Sequence, residues 1–426
     1  MMKKYRISLA AMAAVVLLAS CGTSKNAEKD HAQKNDMEVS RNDRLVDESY
    51  LILSDAQRDI VNNTNGFALN LFRNMSGFDS RVVSPISVAY LMGMLANGAD
   101  GQTRQEILSA IGCKEVCLQD LNEFCQMMMT RAGHFDKATT IQLANYIALN
   151  NQYKLKDDFV KTVQDSYLAG IESVNFSSAS SSLKRINGWC SKHTYGMIPR
   201  IIEEVDPNAV SYIMNAIYFN GTWTNKFDKN QTKLENFQGY TRDIKKVQMM
   251  HRNSKYLYMD NELFSAVNLP YGNRSYLMTV LLPKQGKSIG EMMKEMDAKQ
   301  LGELKRKMDE CVVDLKLPRF TTTEEVTLND IISKLGAPGM FTGSADFSNL
   351  ADGHLAVSKM LQKAKIEVSE EGTKAAAVTS AMVALTALRP EPRRVEFHAN
   401  RPFVYMITES STGAILFMGQ YTGSEI

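Results

Sequence analysis

The chain alternates between two spacings of apolar residues, one typical of helices and one typical of strands. Phe67, Ala68, Leu71 and Phe72 recur three and four residues apart, which predicts a first helix beginning at about Asp55. The predicted strands after it are residues 141–149, 171–176, 210–219, 255–259, 266–269, 276–282 and 312–317, and the predicted helices are residues 157–168, 186 to about 194–196, and 330–335. This order, without a Rossmann or P-loop glycine motif, indicates an α+β fold.

Ser84 and Pro85 mark the start of the second predicted helix. Ser84 is placed to cap the helix with its side chain, and Pro85 takes the first helical position, where no backbone N–H is needed. Leu91, Met92 and Leu95 then give the helix an apolar stripe.

Residues 370–385 form a charged turn followed by small and β-branched residues. The alternate positions 373, 375, 377, 379, 381, 383 and 385 hold no charged side chain, so the segment can enter a sheet with one face buried. It continues into the exposed, Pro-rich peptide 389–394. A helix, favoured by the alanines, and an ordinary apolar strand ending in a loop are the alternatives. The pattern favours a segment that is outside the sheet in one state and paired in another.

The composition is that of a large globular chain. With 426 residues and 44% hydrophobic content, it can bury the core of one big domain or two ordinary ones. The 49 basic and 47 acidic residues give a net charge of +2, so nothing points to a nucleic-acid partner.

No catalytic or metal-binding pattern is present. The six histidines include no His-Glu-x-x-His helix, and no serine lies in a Gly-x-Ser-x-Gly turn. The odd set of cysteines beyond residue 100 lacks a zinc spacing and predicts buried, incidental thiols with at least one unpaired; these are Cys113, Cys117, Cys125, Cys190 and Cys311. We therefore expect no enzyme activity, no metal and no cofactor.

The first 50 residues have the pattern of an export signal and a tether. Lys3, Lys4 and Arg6 precede an apolar stretch, residues 7–19, which is too short to span a bilayer comfortably. Its end resembles the bacterial lipoprotein cleavage box, which implies a signal peptide at residues 1–20 and a lipid on Cys21. An ordinary secretory signal with a chance cysteine is the alternative. Gly22 fits sorting to an outer membrane, and the polar residues up to about 50 predict a flexible tether.

Several segments resemble the serpin family, in the order in which that family has them. They are residues 84–103, 215–223, 318–320, 330–335, 347–350, 357–359, 395–407 and 413–419. The resemblance covers roughly residues 51–423, with no repeat or second linker. It implies one serpin domain at residues 51–426, with three β-sheets, eight or nine helices and an exposed reactive loop at about 370–394. We expect a monomer whose partners are a target protease and, through the lipid, a membrane.

The resemblance implies that the chain inhibits serine proteases as a suicide substrate. A protease cleaves the exposed loop and is trapped as an acyl-enzyme when the freed strand enters the central sheet. The hinge that implies an inhibitory member consists of Glu370, Glu371, Gly372, Thr373, Ala375, Ala376 and Ala377. A non-inhibitory serpin that acts as substrate or carrier is the alternative within the family. An envelope-anchored binding lipoprotein is the alternative from another class.

Five positions match the family's gate beneath the central sheet and the point where insertion starts. Ser84, Ser87 and Asn215 match the gate, and Trp223 matches the tryptophan at the insertion point. Gln362 departs from the family, because many serpins keep a histidine there. An amide can also donate and accept hydrogen bonds, so the gate is expected to close with a different pH response.

Two peptide bonds fit the reactive bond. The commonest spacing from the hinge glycine places cleavage between Thr386 and Ala387, whereas counting backward from the strand after the loop places it between Leu388 and Arg389. Cleavage after Arg389 is disfavoured because Pro390 follows it. The small and aliphatic residues 383–388 predict elastase-like or subtilisin-like targets, with papain-like cysteine proteases as further targets.

Overall fold

The first predicted helix forms at Asp55–Met75. The computed structural model describes residues 50–75, 77–114, 117–241, 243–373 and 392–423. These residues contain nine α-helices: α1 (Asp55–Met75), α2 (Pro85–Gly98), α3 (Gly101–Ala110), α4 (Leu118–Arg131), α5 (Asp157–Tyr167), α6 (Ala179–His193), α7 (Ile289–Glu295), α8 (Ala298–Glu303) and α9 (Asn329–Lys334). Among the described helices, none is long and apolar enough to cross a membrane. All described residues belong to one compact unit.

Helix α2 lies in the core with almost every side chain buried. Ser84 occupies the N-cap position, as predicted, but the predicted side-chain cap is wrong. The Ser84 hydroxyl instead donates to Oγ of Ser87 at 2.8 Å, and the Ser84 backbone N–H donates to the side chain of Gln362. A partner from a distant strand therefore replaces the local cap.

Helix α6 begins at Ala179, seven residues before the predicted start at Ile186. Its first turns are rich in serine and carry no apolar stripe, so periodicity did not reveal them. Ser182 is buried there, and its hydroxyl donates to the carbonyl of Asn175 at 2.7 Å. The first turns of α6 thus carry a hydrogen bond to the preceding segment, and no local apolar pattern marks them.

The described residues contain fifteen strands, which include every predicted one. They are β1 (Arg81–Val83), β2 (Thr139–Asn150), β3 (Gly170–Val174), β4 (Ser211–Thr222), β5 (Lys233–Gln238), β6 (Ile244–Asp260), β7 (Phe264–Tyr271), β8 (Tyr276–Pro283), β9 (Asp309–Pro318), β10 (Phe320–Thr327), β11 (Lys359–Ser369), β12 (Gly372–Thr373), β13 (Arg394–His398), β14 (Phe403–Glu409) and β15 (Ile415–Tyr421). The α+β class predicted from the sequence is confirmed.

Nine of these strands form one continuous hydrogen-bonded sheet through the long strand β6. The order is β1-β15-β14-β8-β7-β6-β9-β13, with β5 also paired to β6. Strand β6 pairs with β5 over Ile244–Met249, with β9 over Met249–Tyr258 and with β7 over Leu257–Asp260. Two of the three expected sheets are thus joined along one strand, because β6 is 17 residues long and serves both.

The remaining six strands form the sheet that carries the hinge, in the order β10-β11-β12-β4-β2-β3. Both faces of this sheet are buried. Ile213 and Ile217 of β4 face the larger core cluster, and Met214 and Ala216 face a second cluster that includes residues of α6. This alternation fixes which side chains of any neighbouring strand point into the larger core.

The five cysteines of this domain are free thiols, which agrees with the prediction of at least one unpaired cysteine. Cys113, Cys125, Cys190 and Cys311 are buried, and Cys117 is half-buried. Burial raises the pKa of the Cys190 thiol to about 12, because the apolar surroundings disfavour the thiolate. Such thiols behave as small apolar groups at neutral pH.

Candidate functional site

The hinge enters the six-stranded sheet over its first two residues. β11 and β4 pair directly and in parallel over Lys359–Lys365 and Tyr212–Tyr218. Above this, β12 lies between them and runs antiparallel to both. Thr373 lies opposite Val368 on one side and Gly221 on the other. The sequence predicted a hinge outside the sheet, whereas Gly372 and Thr373 already occupy the position of an additional strand.

At position 372, the start of β12, glycine is the residue type that fits. Its φ of +141° lies in a region that residues with a side chain rarely adopt. A Cβ atom added there would lie 2.1 Å from the carbonyl oxygen of Gly221 and 2.7 Å from Cα of Thr222. Backbone of β4 therefore occupies the space, and only glycine lets the chain reverse into the sheet here.

Thr373 is fully buried and is held by an aromatic platform. Its hydroxyl lies 2.8 Å from the phenol oxygen of Tyr271. The Tyr271 ring stacks on Trp223, with ring centroids 4.3 Å apart and planes 14° from parallel. The indole N–H of Trp223 donates to the carbonyl of Ser369 at 2.8 Å. Trp223 therefore lies where insertion is expected to start, in direct contact with the last residue of β11.

The two hinge glutamates hold the turn between β11 and β12. Glu370 is buried; it pairs with Arg319 and accepts a hydrogen bond of 2.7 Å from the Thr232 hydroxyl. Burial alone would raise its pKa, but these hydrogen bonds outweigh burial, and the pKa of Glu370 is lowered. The turn is thus held by a buried carboxylate that bonds to Arg319 and Thr232.

Glu371 is the more exposed of the two hinge glutamates. It pairs with Lys226 at 2.8 Å and with Lys229 at 3.2 Å, and its pKa is lowered by hydrogen bonds from both amines. Its backbone carbonyl accepts the Trp223 backbone N–H at 3.0 Å. The side chain and the backbone carbonyl of Glu371 therefore both bind the turn to the segment that follows β4.

The predicted gate residues meet below the hinge. The Gln362 amide accepts the Ser84 backbone N–H at 2.7 Å and donates to the Ser84 carbonyl at 3.0 Å. It also donates to the Asn215 side-chain oxygen at 3.3 Å, across the β11–β4 pair. Ser87 joins through the Ser84 hydroxyl. All four residues are buried, so the predicted gate residues form one hydrogen-bonded cluster, and the glutamine at its centre has no titratable group.

The sequence pattern did not reveal several residues of the site. Asn145 of β2 accepts the Asn215 amide N–H at 2.9 Å and donates to the Tyr167 carbonyl, which extends the gate to a third strand. A polar residue within an otherwise apolar strand was the available signal. The other missed residues, Lys226, Lys229, Thr232, Tyr271 and Arg319, contact the hinge from distant parts of the chain. Nothing local distinguishes them.

The remaining predicted positions lie outside the described residues. These are the lipidation residue Cys21, the hinge residues Ala375, Ala376 and Ala377, and the reactive-bond residues Thr386, Ala387, Leu388 and Arg389. Within the described part of the chain, no group of three His, Cys, Asp or Glu side chains is arranged to hold a metal ion.

The far end of the loop is anchored at β13. This strand runs parallel to β9, and the Arg393 carbonyl accepts the Val312 N–H at 2.9 Å. Asp314 of β9 bonds His398 of β13 at 3.2 Å and His251 of β6 at 2.5 Å. Residues 374–391 thus connect a hinge inside one sheet to an anchored strand of the other.

The fold, with the hinge attached at β12 and the following segment attached at β13, agrees with one family of proteins. The sequence profile described as Serpin (serine protease inhibitor) matches residues 62–423. The chain therefore belongs to the serpin family.

Similar proteins include two curated relatives. Serpin B6 of Pongo abelii is 31% identical over 85% of this chain and 99% of its own length. The leukocyte elastase inhibitor of Homo sapiens is 30% identical over 84% of this chain and 97% of its own length.

Two solved structures share the fold. The thermophilic serpin tengpin in its native state has a TM-score of 0.78 and 29% identity, over 88% of this chain and 95% of that one. Human thyroxine-binding globulin in complex with thyroxine has a TM-score of 0.78 and 27% identity, over 86% of this chain and 98% of that one.

Proposed function

We propose that this chain is an irreversible suicide-substrate inhibitor of serine proteases, with elastase-like or subtilisin-like enzymes as targets and papain-like cysteine proteases as further targets. The observation that carries the proposal is the position of Gly372 and Thr373 between β11 and β4. A strand that has already begun to enter this gap can continue into it once its far end is cut.

The proposed reaction is the first half of ordinary proteolysis. The protease hydroxyl attacks a loop carbonyl, the bond to the next nitrogen breaks, and the proton goes to the departing amine. The protease is then held as an ester on the N-terminal part of the loop. Insertion of that part carries the protease away before water can hydrolyse the ester.

The pairing register of β12 supports an inserted strand whose core-facing side chains fit between β11 and β4. Continuing the pairing of Thr373 with Gly221 and Val368 puts Ala375 opposite Phe219 and Ile366, two fully buried side chains of the larger core. The same register puts Thr379 between Asn215 and Gln362. Small residues would thus face apolar neighbours, and a hydroxyl would face the polar gate. A bulky or charged residue at these positions would overpack the core or bury an unpaired charge.

The strand directions also support a gain in free energy. The direct β11–β4 pairing is parallel, whereas an inserted strand would be antiparallel to both neighbours, as β12 already is. Antiparallel pairing is slightly more stable per residue, and insertion adds a second ladder of hydrogen bonds. The uncleaved protein would then be a kinetically trapped state.

Target choice follows from the residues beside the reactive bond, Thr386–Ala387 or Leu388–Arg389. The small and aliphatic side chains of residues 383–388 suit the narrow or apolar pockets of elastases and subtilisins. The name of the human relative, leukocyte elastase inhibitor, supports the same class. The alternative, a non-inhibitory substrate or carrier, has a precedent in the thyroxine complex of the globulin. The small residues at 373, 375 and 377 argue against it.

The test is incubation with an elastase, followed by denaturing electrophoresis and mass spectrometry. We expect an adduct that survives denaturation and a C-terminal fragment beginning at Ala387 or Arg389. Cleavage with full retention of protease activity would favour the substrate or carrier function instead.

A matched pair of variants tests insertion itself. Ala375→Glu puts a carboxylate between Phe219 and Ile366 and should turn the inhibitor into a substrate. Ala376→Glu points to the other face, beside Tyr218 and the half-exposed Lys365, and should still form the adduct. Equal adduct yields from the two variants would contradict strand insertion.

We propose further that the chain is lipidated on Cys21 and anchored to a bacterial outer membrane or cell surface through residues 21–50. The charged and apolar leader and the polar tether support this location. Cys21→Ser should release the protein from the membrane fraction and leave adduct formation unchanged. Undiminished membrane retention of that variant would exclude the lipid anchor.

A further inference from the structure

A large cavity lies beside the far end of the reactive loop, away from the hinge and gate. Its volume is about 610 Å³, within the range of sites for small molecules. It lies between the end of β6, the start of β9, and helices α7 and α8. Arg393, the residue before β13, lines it as well. Neither the hinge nor the gate uses this cavity.

Half of the buried side chains that line the cavity carry sulfur, and the others are aromatic or aliphatic. Six buried side chains face it: Tyr258, Phe264, Met292, Met296, Leu304 and Cys311. Methionine is flexible and polarizable, so it adapts to ligands of irregular shape. An apolar molecule entering this space would leave water and contact these side chains closely.

The rim of the cavity is charged, and its charges are unevenly paired. Arg393 pairs with Asp260 at 3.3 Å and lies 5.9 Å from the centre of the Tyr258 ring, while Lys307 pairs with Glu303 at 2.9 Å. Both cations of the rim are therefore already partnered.

The carboxylates of the rim outnumber its cations. Asp260 also pairs with Lys284, and Glu310 pairs with Lys255. Glu295 and Asp309 line the same cavity, and neither has an ion-pair partner among the described residues. The unpaired charge at the mouth is thus negative and complements a cation.

We propose that this cavity binds a small amphipathic amine, with its apolar body among the methionines and its ammonium group at Glu295 and Asp309. A neutral or anionic molecule of the same shape would have the apolar contacts without the ion pairs. The ligand class is therefore a hydrophobic cation of drug-like size.

The position of Arg393 gives the site a consequence for the loop. Arg393 lies directly before β13 and pairs with Asp260, so a ligand that contacts Arg393 would change the contacts that hold the start of β13. This consequence rests on the proposed inhibitory function, under which the far end of the loop must stay attached to β13 while the near end inserts. Ligand binding itself does not depend on that function.

The binding test uses three fluorescent probes with one aromatic body: dansylcadaverine, which carries a primary amine, the neutral dansylamide, and the anionic dansylglycine. We expect saturable enhancement with one equivalent of dansylcadaverine per chain and the weakest binding for dansylglycine. Preference for dansylglycine, or equal affinity for all three, would overturn the proposed ligand class.

Variants of the full chain locate the site. Glu295→Gln and Asp309→Asn should each weaken dansylcadaverine binding by about threefold, as expected for an exposed ion pair, and leave dansylamide unchanged. Glu204→Gln, an exposed carboxylate elsewhere, is the control. Met296→Trp should place a bulkier side chain in the cavity and weaken both probes at least tenfold. Because both surface variants keep the core intact, unchanged affinity in Glu295→Gln and Asp309→Asn would overturn the site even if Met296→Trp did not fold.

The effect on the loop is measured separately, as the yield of the elastase adduct with and without dansylcadaverine. A changed yield in the wild type that disappears in Met296→Trp would support the link through Arg393. An unchanged yield with retained binding would reject only that link. Absence of any adduct without the probe would instead contradict the proposed function.

Discussion

The hydroxyl group of Thr373 lies 2.8 Å from the phenol oxygen of Tyr271, inside the six-stranded sheet. This contact joins the start of the predicted reactive loop to the aromatic pair Tyr271–Trp223. Thr373 and Tyr271 are 102 residues apart in the sequence. Burial raises the pKa of Tyr271 well above its ordinary value, so the phenol stays neutral at physiological pH. The contact therefore does not titrate near neutral pH, and it marks how far the hinge has already entered.

Thr373→Arg should affect the intact protein as well as the inhibitory reaction. Thr373 is fully buried, and an arginine there would bury an unpaired charge at a cost of several kcal/mol unless the hinge leaves the sheet. We expect lower unfolding free energy by denaturant titration and cleavage without adduct in the elastase assay. Thr373→Ser, which keeps the hydroxyl, is the control and should form the adduct. A normal adduct yield for Thr373→Arg would contradict the role of β12.

Gly372→Ala should expel the hinge through a backbone collision. The new methyl group would lie 2.1 Å from the Gly221 carbonyl oxygen, in addition to the strain of a positive φ, which costs about 1–3 kcal/mol. Gly286→Ala is matched, because Gly286 has a φ of +84° but nothing within 4 Å of the added atom. The difference in unfolding free energy between the two variants measures the collision. Equal losses would show that the β12 position is not strictly required.

Acid should loosen the hinge through Glu370. Because its pKa in the folded protein is lowered, its stabilising contribution is complete above the unfolded value of about 4.3 and is lost as pH falls through the lower folded value. Glu370→Gln should lower the unfolding free energy at pH 7 by about 1–2 kcal/mol, since Arg319 is half-exposed, and should lessen the decline in acid. Glu325→Gln, which removes an exposed pair with Lys363, should change it by under about 0.5 kcal/mol. Parallel acid curves for Glu370→Gln and wild type would rule out this contribution.

Gln362→His should give the gate a pH response that the amide lacks. A buried histidine has a pKa below its ordinary value of about 6.5, so the folded state holds fewer protons than the unfolded state as pH falls. Stability relative to wild type should therefore be retained above about pH 6.5 and lost on acidification, by up to about 1.4 kcal/mol per pH unit. Denaturant titrations between pH 5 and 8 measure this. Gln362→Leu, which loses the hydrogen bonds at every pH, should run parallel to wild type.

The order of the elements and the character of the hinge were determined by the sequence alone. Apolar spacing located α1, β2, β4, β8 and β9 to within a few residues, because helices and strands impose different periods on buried positions. The alternation of small residues from Thr373 onward indicated a strand with one core-facing side. The resemblance supplied the gate positions Ser84, Ser87, Asn215 and Gln362, which the structure brings together.

Only the tertiary structure decided which distant groups hold these elements. It joined Gln362 to Ser84 across 278 positions and Arg319 to Glu370 across 51. In the tertiary structure, α6 begins seven residues before its predicted start, and two of the expected sheets are joined along β6. Gly372 and Thr373 lie inside the six-stranded sheet. Local patterns report which face of an element is buried, whereas the partner of a buried polar group depends on the folding of the whole chain. That is why the hinge was recognisable in the sequence and its starting position was not.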